Sequence, residues 1–113
     1  MDLNNVVLSG RVFDMGYNPM LTIENSGVAE GKLSVSVGVK NGEEMFDEFN
    51  IRAYGKKADF ISLLRDGTFV VLEGVLREDI RVNSGDPSAT RSKTYININR
   101  LKAVRGKEEG WNE

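Results

Sequence analysis

Short segments in which apolar and polar residues alternate are the feature that most constrains this chain. The clearest segment runs from Leu33 to Val39, where every second residue is apolar and the residues between are serine or glycine. A period of two places successive side chains on opposite faces, as in a β-strand with one buried face. Other short apolar segments are bounded by glycine, asparagine or proline. The sequence therefore predicts strands at 6–13, 33–39, 46–54, 68–76 and 94–104.

One further segment has helical spacing. Between Lys57 and Leu64 the apolar residues are Phe60, Ile61 and Leu64, and Gly67 follows as a stop signal. A short helix between the third and fourth strands is the element order of the OB-fold, a five-stranded Greek-key barrel. Other small barrels also have five strands, so the position of the helix favours this all-β fold. We expect it to occupy residues 1–104, with a polar tail at 105–113.

Glycines and polar stretches predict where the chain bends. Gly10 and Gly74 are expected to be bulges or bends in the first and fourth strands. Residues 14–31 and 83–92 are expected to be loops. The first of these loops contains acidic residues and no cation, so it is a poor candidate for phosphate contact.

The turn between the second and third strands has two possible registers. A two-residue Asn41-Gly42 turn would pair Lys40 with Glu43 and put apolar residues of one strand beside charged residues of the other. A three-residue turn, Lys40 to Gly42, would pair Leu33 with Phe49 and keep the apolar sets together. We therefore predict the three-residue turn.

Composition excludes several kinds of chemistry. The 113 residues include neither cysteine nor histidine, which removes thiolate nucleophiles, imidazole bases and nearly every zinc site. The close carboxylate pairs, such as Glu43-Glu44, occupy adjacent strand positions that point to opposite faces, so they form no catalytic dyad. No phosphate-loop or metal-binding motif occurs. We expect a protein that is not an enzyme and uses no cofactor.

Charge and hydropathy bear on location and partners. The net charge of −2 comes from 15 basic and 17 acidic residues, so cations that bind nucleic acid would have to be gathered locally. No apolar run approaches the roughly 20 residues that cross a membrane. The first residues lack the basic and apolar regions of a secretion signal. Because the chain has no cysteine, no disulfide gives a reason to place it in an oxidising compartment. These features predict a cytoplasmic protein.

Four stretches together resemble the bacterial-type single-stranded DNA-binding proteins. Residues 5–12 are similar to the opening strand of that family, and Tyr17-Asn18-Pro19 is similar to the Tyr-x-Pro of its first long loop. Residues 54–58, Tyr-Gly-Lys-Lys-Ala, resemble its aromatic-Gly-Lys-x-Ala entry to the helix. Residues 64–77 resemble its Leu-x-Lys-Gly and Glu-Gly-x-Leu stretch, with Asp66 where lysine is usual. The resemblance implies a single-stranded DNA-binding OB-fold that assembles as a tetramer, or alternatively as a dimer.

The chain also departs from that family. Positions that usually carry stacking aromatics fall near Lys40 or Asn41, on Glu48 and near Arg81, and only Tyr54 clearly keeps its ring. The family's long linker and acidic Pro-Phe tip have no counterpart in this sequence, and short, divergent members of this kind resemble those encoded by bacteriophages, so the resemblance implies a bacteriophage origin. Trp111 lies among carboxylates near the chain end, where a disordered terminus is favoured over a partner-docking tail.

The outward face of the third strand is the candidate binding site. We expect it to present Phe46, Glu48, Asn50, Arg52 and Tyr54 beside Lys32, Ser34, Ser36, Gly38 and Lys40 of the second strand. Aromatic rings stack on nucleobases of any sequence, and cations hold phosphates. The residues expected to contact single-stranded DNA are Tyr54, Phe46, Arg52, Lys56, Lys32, Lys40, Arg77, Arg81, Arg91 and Lys93. The same residues could instead pair across strands and stabilise the sheet.

Two functions follow from this face. The first is sequence-tolerant binding of single-stranded DNA, which would protect and organise strands in replication or recombination. The alternative is an OB-fold module that docks replication or recombination proteins and binds DNA weakly. The segment from Phe69 to Leu72 is apolar on both faces, which suggests that the protein self-associates.

Overall fold

The computed structural model describes residues 2–18, 27–83 and 86–104, and for 80–83 and 86–92 it describes the backbone alone. These residues form strands and one short helix. The elements are β1 (Val6–Asn18), β2 (Val28–Lys40), β3 (Glu43–Tyr54), α1 (Lys56–Ile61), β4 (Phe69–Asn83) and β5 (Asp86–Ala103). Within this part of the chain, no helix is long and apolar enough to span a membrane. The predicted tail at 105–113 lies outside the described residues.

The strands close into a barrel in the order β1-β2-β3-β5-β4. Neighbouring strands are antiparallel except for β3 and β5, which run parallel and pair at Ile51 with Ile96 and at Arg52 with Asn97. The helix lies between β3 and β4 in the chain. The predicted OB-fold is therefore confirmed.

The inward residues of the alternating segments form the core. Leu33, Ile51 and Leu72 are almost completely buried, and each contributes about 1.5–3 kcal/mol of apolar burial. Ile61 of α1 packs in the same cluster. The helix is shorter than the predicted 57–64, because the amide of Leu64 donates to the carbonyl of Ile61, three residues back, and this contact tightens the last turn.

The β2–β3 hairpin has the predicted register but a different turn. Leu33 lies opposite Phe49, as expected. Lys40 lies opposite Glu43, however, so the turn contains only Asn41-Gly42, and the predicted three-residue turn is wrong. Both turn residues have positive φ, 54° and 82°, as a type I′ turn requires.

A bulge reconciles this short turn with the register. The pairing shifts between Ser36 and Gly38, whose φ of 121° favours glycine, and Val37 is the extra residue. Because of this extra residue, even-numbered residues beyond the bulge point to the face that odd-numbered residues occupy before it. Gly38 and Lys40 therefore lie on the face opposite Ser36, and their predicted outward placement beside Ser36 is wrong.

Two predicted loops contain strand. β1 continues to Asn18 and β2 begins at Val28, so of the segment 14–31 only 19–26 falls outside the described residues. β4 continues to Asn83 and β5 begins at Asp86, where a loop over 83–92 was expected. The stretch 83–92 consists almost wholly of polar residues, glycine and proline, so no apolar alternation marks it as strand.

The two strand glycines differ in role. The pairing of β4 with β5 shifts between Glu73 and Gly74, but the extra residue is Asn99 of β5, so the bulge lies on the strand opposite Gly74 and not at Gly74 itself. Gly10 pairs with Val70 without a shift, and a Cβ at this position would meet the carbonyl oxygen of Ser34. Gly10 therefore permits a close crossing of β1 and β2 and is not a bulge.

Candidate nucleic-acid interface

The outward side chains of β3 form one face of the barrel. Ile51 and Ala53 are buried. Arg52, which lies between them, and Tyr54, which follows Ala53, are partly exposed. Phe46, near the start of the strand, is 55% exposed. The predicted alternation of this strand is therefore confirmed.

Arg52 lies at the centre of a charged and aromatic cluster. Its side chain is only 12% exposed, and its Nε lies 2.8 Å from Glu30 Oε2. Its Nη2 lies 3.2 Å from Asp79 Oδ2. Its Nη1 donates to the Tyr54 hydroxyl at 3.4 Å, and its Cζ lies 4.1 Å from the centre of the Tyr95 ring. We call these five residues the Arg52 cluster.

The charges of the Arg52 cluster are balanced within the protein. Burial lowers the pKa of Arg52, but hydrogen bonds to Tyr54 and Asp79 and the charge of Glu30 outweigh it and raise the pKa above its usual value. Burial, together with a hydrogen bond to Tyr54, also raises the pKa of Tyr95. Two carboxylates accompany one guanidinium, so the cluster offers no net positive charge to a phosphate.

Sequence reasoning did not identify Tyr95, Glu30 or Asp79. A signal for Tyr95 exists, because the inward Ile96 and Ile98 imply that the residue before Ile96 faces outward. A signal for Asp79 exists as well, because the apolar residues Leu76, Ile80 and Val82 continue the alternation of the fourth strand beyond its predicted end at residue 76 and place Asp79 on the polar face.

Three of the predicted cations lie near the Arg52 cluster. Arg77 lies opposite Tyr95 across β4 and β5, and Lys93 lies opposite Asp79. Both of these cations are exposed. Lys32, on β2, has its Nζ 3.5 Å from Glu48 Oε1. A depression of about 180 Å³ is lined by Lys32, Asn50, Arg52, Lys93 and Tyr95.

The other predicted cations lie elsewhere. Lys56 is exposed at the first position of α1. Lys40 lies beyond the bulge, on the opposite face of β2. Arg81 and Arg91 pair with each other across β4 and β5, and their side chains are outside the described part of the molecule. The structure therefore groups Lys32, Arg77 and Lys93 but not Lys40 with the outward face of β3.

Phe46 belongs to a second depression on this side of the barrel. It lies opposite Ser36, whose hydroxyl donates to Glu44 Oε2 at 2.7 Å. A groove of about 600 Å³ extends from Phe46 to Phe13 and Phe69. Small serines line the strand between the rings, so a flat ligand could approach the backbone closely.

The described residues contain no group of three or more acidic side chains placed to hold a metal ion. The side chains of this face offer stacking, hydrogen bonding and charge pairing.

Comparisons with known proteins point to one kind of protein. No protein-family model matches the chain. The chain is 29% identical, over 110 residues, to a single-stranded DNA-binding protein of Thermosynechococcus vestitus, and the match covers 96% of this chain and 88% of that protein. Its structure is similar to that of a small single-stranded DNA-binding protein from Streptomyces coelicolor, with a TM-score of 0.68 and 18% identity, covering 92% of this chain and 96% of that one. The structural likeness shows a shared fold, and neither comparison supports the predicted bacteriophage origin.

Proposed function

We propose that the protein binds single-stranded DNA of any sequence across the outward faces of β2 and β3. The observation that carries this proposal is the similarity, along almost the whole chain, to a protein described as binding single-stranded DNA. The exposed ring of Phe46 and the neighbouring Arg52 cluster supply a physical basis for it. Protection of strands during replication or recombination, in the cytoplasm, is part of the same proposal.

The face offers separate contacts for bases and phosphates. The rings of Phe46 and Tyr54 can each stack on a base, which is worth about 1–3 kcal/mol per base and depends little on sequence. Ser34 and Ser36 leave room for the chain between these rings. The exposed ammonium of Lys93 and guanidinium of Arg77 can reach phosphates beside them.

A salt series tests the proposal directly. We expect the protein to bind fluorescent oligo(dT) with micromolar or tighter affinity and to bind a duplex of equal length more weakly. The logarithm of affinity should fall with the logarithm of salt concentration by about 0.7 for each phosphate contacted. Absent binding, or binding that salt does not weaken, would contradict the proposal.

One observation favours docking of another protein instead. Lys32 is paired with Glu48, and Arg52 is paired with Glu30 and Asp79, so two cations of the face are already neutralised. An OB-fold with such a face could dock a replication or recombination protein and hold DNA weakly. The same salt series separates the two functions, because protein docking requires no oligo(dT) binding.

Self-association is part of the proposal. β1 pairs with β4 over residues 6–11 and with β2 only from Arg11 onward, so within the described chain one edge of residues 6–10 pairs with no strand. On the side of β1 that pairs with β4, Val7 and Val71 are 60% and 40% exposed and line an apolar groove of about 970 Å³ that continues along β5. A second copy that adds its own β1 antiparallel to the unpaired edge would extend the sheet, and contact between copies at the groove would bury its apolar residues. A tetramer is the favoured assembly, a dimer is the alternative, and either would raise avidity for a long strand.

A further inference from the structure

We infer that Arg52 is a positioning residue that holds the β4–β5 hairpin against the DNA-binding face and does not itself contact phosphate. The inference rests on the proposed function for its effect on DNA. The part that concerns the hairpin rests on contacts alone.

The barrel closes through a short seam. β3 and β5 pair at two positions only in the described residues, whereas β4 and β5 pair along most of their length. Side chains therefore supplement the backbone pairing at this seam. Asn50 Nδ2 donates to the carbonyl of Thr94 at 3.3 Å, and the Arg52 guanidinium stacks on Tyr95, the next residue of β5.

Arg52 also joins β4 to β2 and β3, two strands with which β4 does not pair. Glu30 lies on β2 directly opposite Arg52, and Asp79 lies on β4 where the hairpin with β5 continues toward its tip. One guanidinium thus links β2 through Glu30, β4 through Asp79 and β5 through Tyr95. A planar group with donors on three nitrogens can make these contacts together, and an ammonium cannot.

These contacts leave Arg52 poorly placed to bind DNA. Each of its three nitrogens already has a partner, and its side chain is 12% exposed. Moving it to a phosphate would leave the carboxylates of Glu30 and Asp79 without their partner in a partly buried site. Lys93, exposed on the same face, can contact phosphate without that loss.

Asp79→Asn distinguishes positioning from phosphate contact because the two roles predict opposite results. If Arg52 contacted phosphate, removal of this carboxylate would release a cation and tighten binding to oligo(dT). If Arg52 positions the hairpin, the variant should bind about fivefold or more weakly. The dependence of affinity on salt should stay unchanged, since no phosphate contact is lost.

Two further variants complete the test. Arg52→Lys keeps the charge but not the planar guanidinium, so the positioning role predicts that this variant binds oligo(dT) more weakly than the wild-type protein does. Lys93→Met is the matched control, which should reduce the salt slope by about 0.7. Should Arg52→Lys fail to fold, Glu30→Gln removes the contact on the opposite side and should also weaken binding.

Hydrogen exchange separates failure of this inference from failure of the proposed function. Backbone amides of β4 and β5 near Asp79 and Thr94 should exchange faster in Asp79→Asn than in the wild-type protein. Unchanged exchange, or tighter oligo(dT) binding by Asp79→Asn, would overturn the inference. If the wild-type protein binds no oligo(dT), the proposed function fails, and the exchange experiment still decides whether Arg52 holds the hairpin.

Discussion

The carbonyl oxygen of Ser34 occupies the space that a side chain on Gly10 would need. At this point β1 passes from its pairing with β4 to its pairing with β2. Buried residues on either side, among them Val12 and Leu33, pack in the core and hold the two backbones close together. Only glycine permits this crossing without a shift of backbone.

Gly10→Ala should therefore destabilise the barrel. We expect the free energy of unfolding to fall by about 1–3 kcal/mol, the usual cost of overpacking a buried site. Urea unfolding followed by circular dichroism measures it. Gly16→Ala is the control on the same strand, because nothing lies within 4 Å of a Cβ placed there. Equal stabilities of the two variants would show that the crossing relaxes.

Phe46 and Phe60 provide a matched pair for testing stacking. Phe46 lies on the outward face of β3 and is 55% exposed, whereas Phe60 lies on α1 and is 53% exposed. Phe46→Ala should weaken oligo(dT) binding by about 1–3 kcal/mol, and Phe60→Ala should leave it unchanged. Fluorescence anisotropy at one salt concentration suffices. An equal loss in both variants would refute a specific role for the β3 face.

The ring and the hydroxyl of Tyr54 should have separable effects. Tyr54→Phe keeps the ring and removes the hydroxyl, which accepts a 3.4 Å hydrogen bond from Arg52 and is hydrogen-bonded to Tyr95, so we expect oligo(dT) affinity within about twofold of wild type. Tyr54→Ala removes the stacking surface and should weaken binding by at least about 1 kcal/mol. Thermal unfolding should confirm that both variants fold. Unchanged affinity of Tyr54→Ala would refute stacking at this position.

The apolar groove beside β1 predicts how the protein self-associates. Val71→Arg places a charge in the groove that Val7 and Val71 line, and it should shift the protein toward smaller assemblies. Sedimentation velocity at several concentrations measures the shift. Leu63→Arg is the control, since Leu63 is exposed outside the groove. A wild-type protein that is monomeric at every concentration would contradict the proposed assembly.

The barrel could be predicted because burial leaves a pattern. The pairing of Leu33 with Phe49 followed from the sequence, since only that register keeps the apolar residues together. The turn did not follow, because parity counts residues and cannot distinguish a longer turn from a short turn with a bulge at Val37. The placement of Lys40 was wrong for the same reason.

Only part of the Arg52 cluster could be predicted from the sequence. The correct register already places Glu30 opposite Arg52, but the sequence predicts a loop at residues 14–31. Asp79 lies beyond the predicted end of the fourth strand at residue 76, although Ile80 and Val82 continue the alternation of that strand. Contacts between strands that do not pair form only when the barrel closes. Closure brings together residues that are far apart in the sequence, so no local pattern predicts these contacts.

Tyr95 should make stability depend on pH in the alkaline range. Burial, followed by the hydrogen bond with Tyr54, raises its pKa above the usual 10.0, and the charges of Arg52 and Arg77 oppose this only in part. The unfolded chain therefore loses the phenolic proton at lower pH than the folded chain does. This contribution to stability is fully present below about pH 10 and is lost as pH rises through the folded pKa. In urea unfolding between about pH 9 and pH 11, Tyr95→Phe should lose stability less steeply than wild type, and parallel curves would contradict the assignment.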